Sequence, residues 1–106
     1  MTESADISIT NNGNAVTITL GGTLDLTNSQ EFHEQIKQAS INADSVTVDM
    51  RMADFIDTAV VQDLAKAGVT MLKRDKRLKV IASKTRYPLR VLRISGFEEI
   101  MDIAVE

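Results

Sequence analysis

The chain contains no cysteine and no tryptophan, and only one histidine and one proline. Without cysteine it has no disulfides, no thiol nucleophile and no thiolate metal site. A lone His33 excludes a multi-histidine metal centre. Apolar residues are scattered, so no run approaches the roughly 20 residues that span a bilayer, and no membrane insertion is expected. The opening MTESADIS has neither a basic n-region nor an apolar h-region, so it does not read as a secretory signal. A glycine-rich phosphate loop, a GxSxG elbow and an HExxH helix are all missing. With no nucleophile–base pair in view, enzymatic catalysis is not expected. These absences point to a small cytoplasmic regulatory or binding domain. The 106 residues allow one domain, 1–106, with one modest core.

Charge is present, but it is divided along the chain. Residues 1–65 hold ten carboxylates against Lys37 and Arg51, whereas 66–93 hold ten cations against Asp75 alone. The last thirteen residues add four carboxylates, and the total is −3. The basic stretch has two readings. It is a solvated polar face, or it is a nucleotide or nucleic-acid surface using Lys84, Arg86, Arg90 and Arg93. It lacks the interleaved aromatics of single-strand binders, so no nucleic-acid partner is expected.

Periodicity gives the layout. Ile7 and Ile9 alternate with polar residues, Asn11–Asn14 supplies a turn, and Val16, Ile18 and Leu20 alternate again. Gly21-Gly22 is read as the end of that strand. Thr27 or Asn28 then caps a helix to about Ala39, with Phe32, Ile36 and Ala39 on one stripe and His33 beside it in solvent. A strand follows over Ser45–Met50, and Arg51–Ile56 is read as a loop. Asp57 caps a second helix to about Leu72, whose apolar stripe is wide. Leu78, Val80 and Ala82 form a strand. A short helix capped by Thr85, with Pro88 in its first turn, stops at Ser95-Gly96, and Ile100–Val105 closes the order.

The resulting order, β-β-α-β-α-β-α-β, requires parallel neighbours joined by right-handed crossovers. Threonines, Asp49 and Lys79 alternate with the apolar strand residues, so one sheet face is left uncovered. The expected class is α/β in two layers: a mixed β-sheet with its helices packed on one side.

Asp25 and Asp57 both follow strands, at the carboxyl edge of a parallel sheet, where ligands bind in open α/β folds. Carboxylates there can hold a metal. In the plainer reading Asp25 ends a turn and Asp57 caps a helix, and no metal or cofactor is expected. Thr58 follows the cap, so its hydroxyl lies in the first helical turn. A phosphate there brings nearly two negative charges into a corner expected to hold Asp25, Asp54, Asp57 and Asp63. Such a dianion repels a partner that accepts the unmodified surface.

Gly22-Thr23-Leu24-Asp25, a strand ending in Asp49, Asp54-Phe55-Ile56-Asp57-Thr58 and Ile94-Ser95-Gly96-Phe97 resemble the landmarks of the STAS domain. STAS names the sulfate-transporter and anti-sigma-factor-antagonist domains. The resemblance spans nearly the whole chain and implies a STAS-like fold. It further implies phosphorylation of Thr58, flanked by Asp25, Asp54 and Asp57. The implied partners are an anti-sigma factor serine/threonine kinase and a PP2C-type phosphatase, with the oligomeric state left open. The partner-binding surface it implies comprises Leu24, Thr27, Asn28, Phe55, Ile56, Ala59, Val61 and Gln62. Where many antagonists carry Asp-Ser-Ser-Gly, this chain reads Asp57-Thr58-Ala59-Val60, which is more similar to stressosome modules. The alternative role is therefore a non-catalytic scaffold subunit of a stressosome or lipid-transport complex.

Overall fold

The computed structural model describes residues 6–25 and 27–106. Its elements are β1 (Asp6–Asn12), β2 (Ala15–Leu24), α1 (Gln30–Asn42), β3 (Ser45–Ile56), α2 (Thr58–Leu72), β4 (Leu78–Ala82), α3 (Tyr87–Ile94) and β5 (Met101–Val105), with a 3-10 turn at Phe97–Glu99 before the last strand. The five strands lie in the order β1-β2-β3-β4-β5. β1 and β2 pair antiparallel and all later neighbours are parallel, which makes the sheet mixed. Gly13, at φ +65°, takes the first central position of the two-residue β1–β2 turn, the place a type II′ hairpin gives to glycine.

Each parallel strand is added beside the previous one in the same direction. Right-handed crossovers then place all three helices over one face. Burial follows that geometry. Ile18, Leu20, Val46, Val48, Met50, Leu78 and Val80 point into the core and are at most 1% exposed. Thr17, Thr19, Thr47 and Asp49 alternate with them and are half-buried on the open face. Phe32, Ile36, Leu64, Met71 and Leu92 close the core from the helical side. Gly68 interrupts an otherwise good helix for a packing reason: a Cβ there would sit 3.1 Å from the Ile100 carbonyl oxygen. α2 thus approaches the start of β5 so closely that a side chain at position 68 would require the Ile100 backbone to give by a few tenths of an ångström.

Several expected boundaries move. β2 does not end at Gly21-Gly22. It runs on to Leu24 through two register shifts, one of them using Gly22 at φ +76°. Arg51–Ile56 is strand rather than loop, because this β2 extension pairs with it, Gly21 to Met52 and Leu24 to Ile56. The bulges break strict alternation, which hides the strand from a period-two reading. α1 starts one or two residues past its expected caps, with Ser29 at the N-cap, and continues to Asn42. Arg86, not Thr85, is the N-cap of α3; the Thr85 hydroxyl lies 3.0 Å from that of Ser83 instead.

Candidate switch at the carboxyl edge of the sheet

β2 and β3 end side by side, and the Asp57 N–H donates to the Leu24 carbonyl at 3.1 Å, joining the two following loops. The β2 loop is an Asx-type turn. The Asp25 carboxylate accepts from the Thr27 hydroxyl at 2.6 Å and the Thr27 N–H at 2.9 Å. Asn28 closes it from the other side, accepting from the Asp25 N–H and donating to the Thr23 carbonyl, both at 2.9 Å. The Thr27 hydroxyl, then its N–H, hold the Asp25 carboxyl below its ordinary range.

Asp57 caps α2 as expected, accepting from the N–H groups of Ala59 at 2.9 Å and Val60 at 3.3 Å. Thr58 therefore occupies the first helical position and is exposed. Of the residues expected around it, Thr27, Asp54, Phe55 and Gln62 are exposed, and Asn28, Ala59 and Val61 are half-buried. Leu24 and Ile56 do not belong to an accessible surface. They are 0% and 2% exposed, because the strand extension carries both side chains into the core beneath the loops. Asp63 is also misplaced by the sequence reading: five residues after Thr58 on a helix, it turns inward, where its Oδ1 lies 2.7 Å from His33 Nδ1. His33 is accordingly paired rather than merely solvated.

Two contacts at this corner join residues 32 positions apart and have no local sequence signal. Asp54 is ion-paired with Arg86. Phe55 stacks on Tyr87, with ring centroids 5.5 Å apart and planes 15° from parallel. Consecutive residues of β3 thus clasp consecutive residues at the start of α3. The charge split of the chain reappears here as one acidic site, Asp25 and Asp57, beside one basic helix. A cavity of about 550 Å³ lies elsewhere, between α1 and α2, lined by His33, Ile36, Ile41 and Val69 among others. Among the described residues no three His, Asp or Glu side chains converge as metal ligands would. No described helix is long and apolar enough to cross a membrane.

No curated protein matches this chain in sequence. Among solved structures, an anti-sigma factor antagonist from Mycobacterium paratuberculosis superposes with a TM-score of 0.79 at 14% identity, over 95% of this chain and 86% of that one. The anti-sigma factor antagonist SpoIIAA in its unphosphorylated form gives 0.75 at 18% identity, over 95% and 90%. At these identities the likeness concerns the fold. Residues 7–103 match the family model described as Mlab, STAS domain. With nearly its whole length inside that match, and with the mixed sheet and one-sided helices described above, the chain belongs to the STAS domain family.

Proposed function

We propose that this STAS domain is an anti-anti-sigma factor of a bacterial partner-switching pathway. It binds an anti-sigma factor serine/threonine kinase through the Thr58 corner, and phosphorylation of Thr58 releases it. A PP2C-type phosphatase resets the cycle. The domain is ligand and substrate, and its partners supply the chemistry.

The observation that carries this reading is the position of Thr58, exposed on the first turn of α2 and directly after the capping Asp57. A phosphate there meets the positive pole of α2, which tolerates it without refolding. The added charge nonetheless stands beside Asp25 and Asp57 and changes the surface that Thr27, Asn28, Phe55, Ala59, Val61 and Gln62 offer to a partner. Incubation with the cognate kinase and ATP should raise the mass by one phosphate and abolish kinase binding. Labelling that persists in Thr58→Ala removes the site assignment.

The Asp57-Thr58-Ala59-Val60 string favours a second reading, the scaffold subunit of a stressosome or lipid-transport complex. Native size in lysate separates the two. A scaffold subunit runs in a large assembly, whereas a free antagonist runs as a small species.

A further inference from the structure

Most arginines of this protein have visible partners. Arg51 bridges Asp49 and Glu106, Arg74 donates to the Ser40 carbonyl, Arg77 pairs with Asp102, and Arg86 pairs with Asp54. Among the described residues Lys84, Arg90 and Arg93 enter no ion pair. These three and Arg86 surround a shallow cavity of about 410 Å³ whose other lining residues are Thr85, Tyr87 and Leu89, with no carboxylate. Arg90 and Arg93 are three apart on α3 and so are neighbours on its surface, where like charges destabilise a helix. A face needed only for solubility does equally well with mixed signs. Beside the cations on the same outward face are Tyr87 and Ile94, two turns apart and 48% and 81% exposed.

We propose that this face of α3 is a docking surface for an acidic, partly apolar segment of a protein partner. The cations receive carboxylates, as Arg86 already receives Asp54, and Tyr87 and Ile94 receive apolar side chains. A single-stranded nucleic acid fits less well, because Tyr87 has one ring face covered by Phe55 and no succession of aromatic platforms follows. An anionic bilayer also fits less well. α3 has eight residues, about 12 Å of helix, and offers two apolar side chains to insert. The surface borders the Thr58 corner through the Asp54–Arg86 and Phe55–Tyr87 contacts but does not depend on modification of Thr58.

The test uses the full chain, 15N-labelled, titrated with a fluorescent twelve-residue peptide of Glu-Glu-Leu repeats. Saturable binding is expected, with amide shifts concentrated at residues 84–94 and Phe55. Arg90→Glu combined with Arg93→Glu should weaken binding by about tenfold, while Lys79→Glu, on the open sheet face, changes it less than about twofold. If the double reversal does not fold, Arg90→Gln and Arg93→Gln singly should each cost about threefold. The proposal falls if Lys79→Glu costs as much as the double reversal, if the shifts lie elsewhere, or if no saturation is reached at millimolar peptide. It falls equally if phosphatidylglycerol vesicles or mixed-sequence duplex DNA displace the peptide and bind more tightly through the same arginines.

Discussion

The carboxyl edge of the sheet carries opposite charges at its two ends, and the two ends hold them differently. Over β2 and β3, Asp25 and Asp57 are each bonded to backbone N–H groups two or three residues away. On α3, Arg90 and Arg93 have no described ion-pair partner, and only Arg86, at the boundary, has a carboxylate. The acidic end is built by local hydrogen bonds that shape the chain. The basic end is a helix held by Leu89 and Leu92 in the core, to which its outward charges add no stability. Substitutions should therefore disturb stability at the acidic end and recognition at the basic end.

The largest contrast should come from the residues beneath and above these surfaces. Leu24→Ala should lower stability by about 3 kcal/mol in urea denaturation, because it empties a fully buried site under the acidic loops. Ile94→Ala, on the outward face of α3, should change it by less than about 0.5 kcal/mol. A loss below about 1 kcal/mol for Leu24→Ala would return that side chain to the contact surface. Next in size, Asp57→Ala should cost about 1 kcal/mol through the lost cap of α2, measured in the same way. Arg90→Ala should cost nothing measurable.

The boundary itself can be probed by double-mutant cycles. Phe55→Ala with Tyr87→Ala should give a coupling of about 1 kcal/mol. Asp54→Ala with Arg86→Ala should give less, about 0.5 kcal/mol, since that pair is solvent-exposed. Zero coupling in both cycles would separate the two ends and leave the clasp without energetic content.

The smallest effect is a pH dependence confined to the acidic end. The folded Asp25 carboxyl titrates below its ordinary 3.8, held there by the Thr27 hydroxyl and N–H. Its contribution is thus fully present above about pH 4 and fades as pH falls through the depressed folded value. Thr27→Val should melt slightly below the parent protein at pH 7, and the gap should be smaller at a pH well below the ordinary carboxylate value of 3.8. An equal gap at both pH values would mean that the hydroxyl acts on something other than the Asp25 charge.

Much of this architecture is legible from one sequence, for identifiable reasons. α2 is announced by the Asp57 cap and an apolar stripe of helical period, and β4 by strict alternation, so both are found within a residue of their ends. The second halves of β2 and β3 are not, because register shifts at Gly21 to Thr23 destroy the alternation that identifies a strand. That one miss explains the misassignment of Leu24 and Ile56, whose burial follows from pairing between two segments about 30 residues apart. Asp63 misleads for a related reason: it is near Thr58 in sequence, but the helix turns it inward toward His33.

The element order, the uncovered sheet face, the cap at Asp57 and the place of Thr58 just after it are all readable along the chain. Each of these is set by interactions within a few residues, or by a periodicity that local geometry imposes. That Asp63 meets His33, that Arg86 and Tyr87 clasp Asp54 and Phe55, and that Lys84, Arg90 and Arg93, with no ion-pair partner among the described residues, stand around one cavity emerges only in three dimensions. Those outcomes depend on which strands lie side by side and on how far each helix is turned. Packing of the whole core sets both, and no short stretch of chain encodes them.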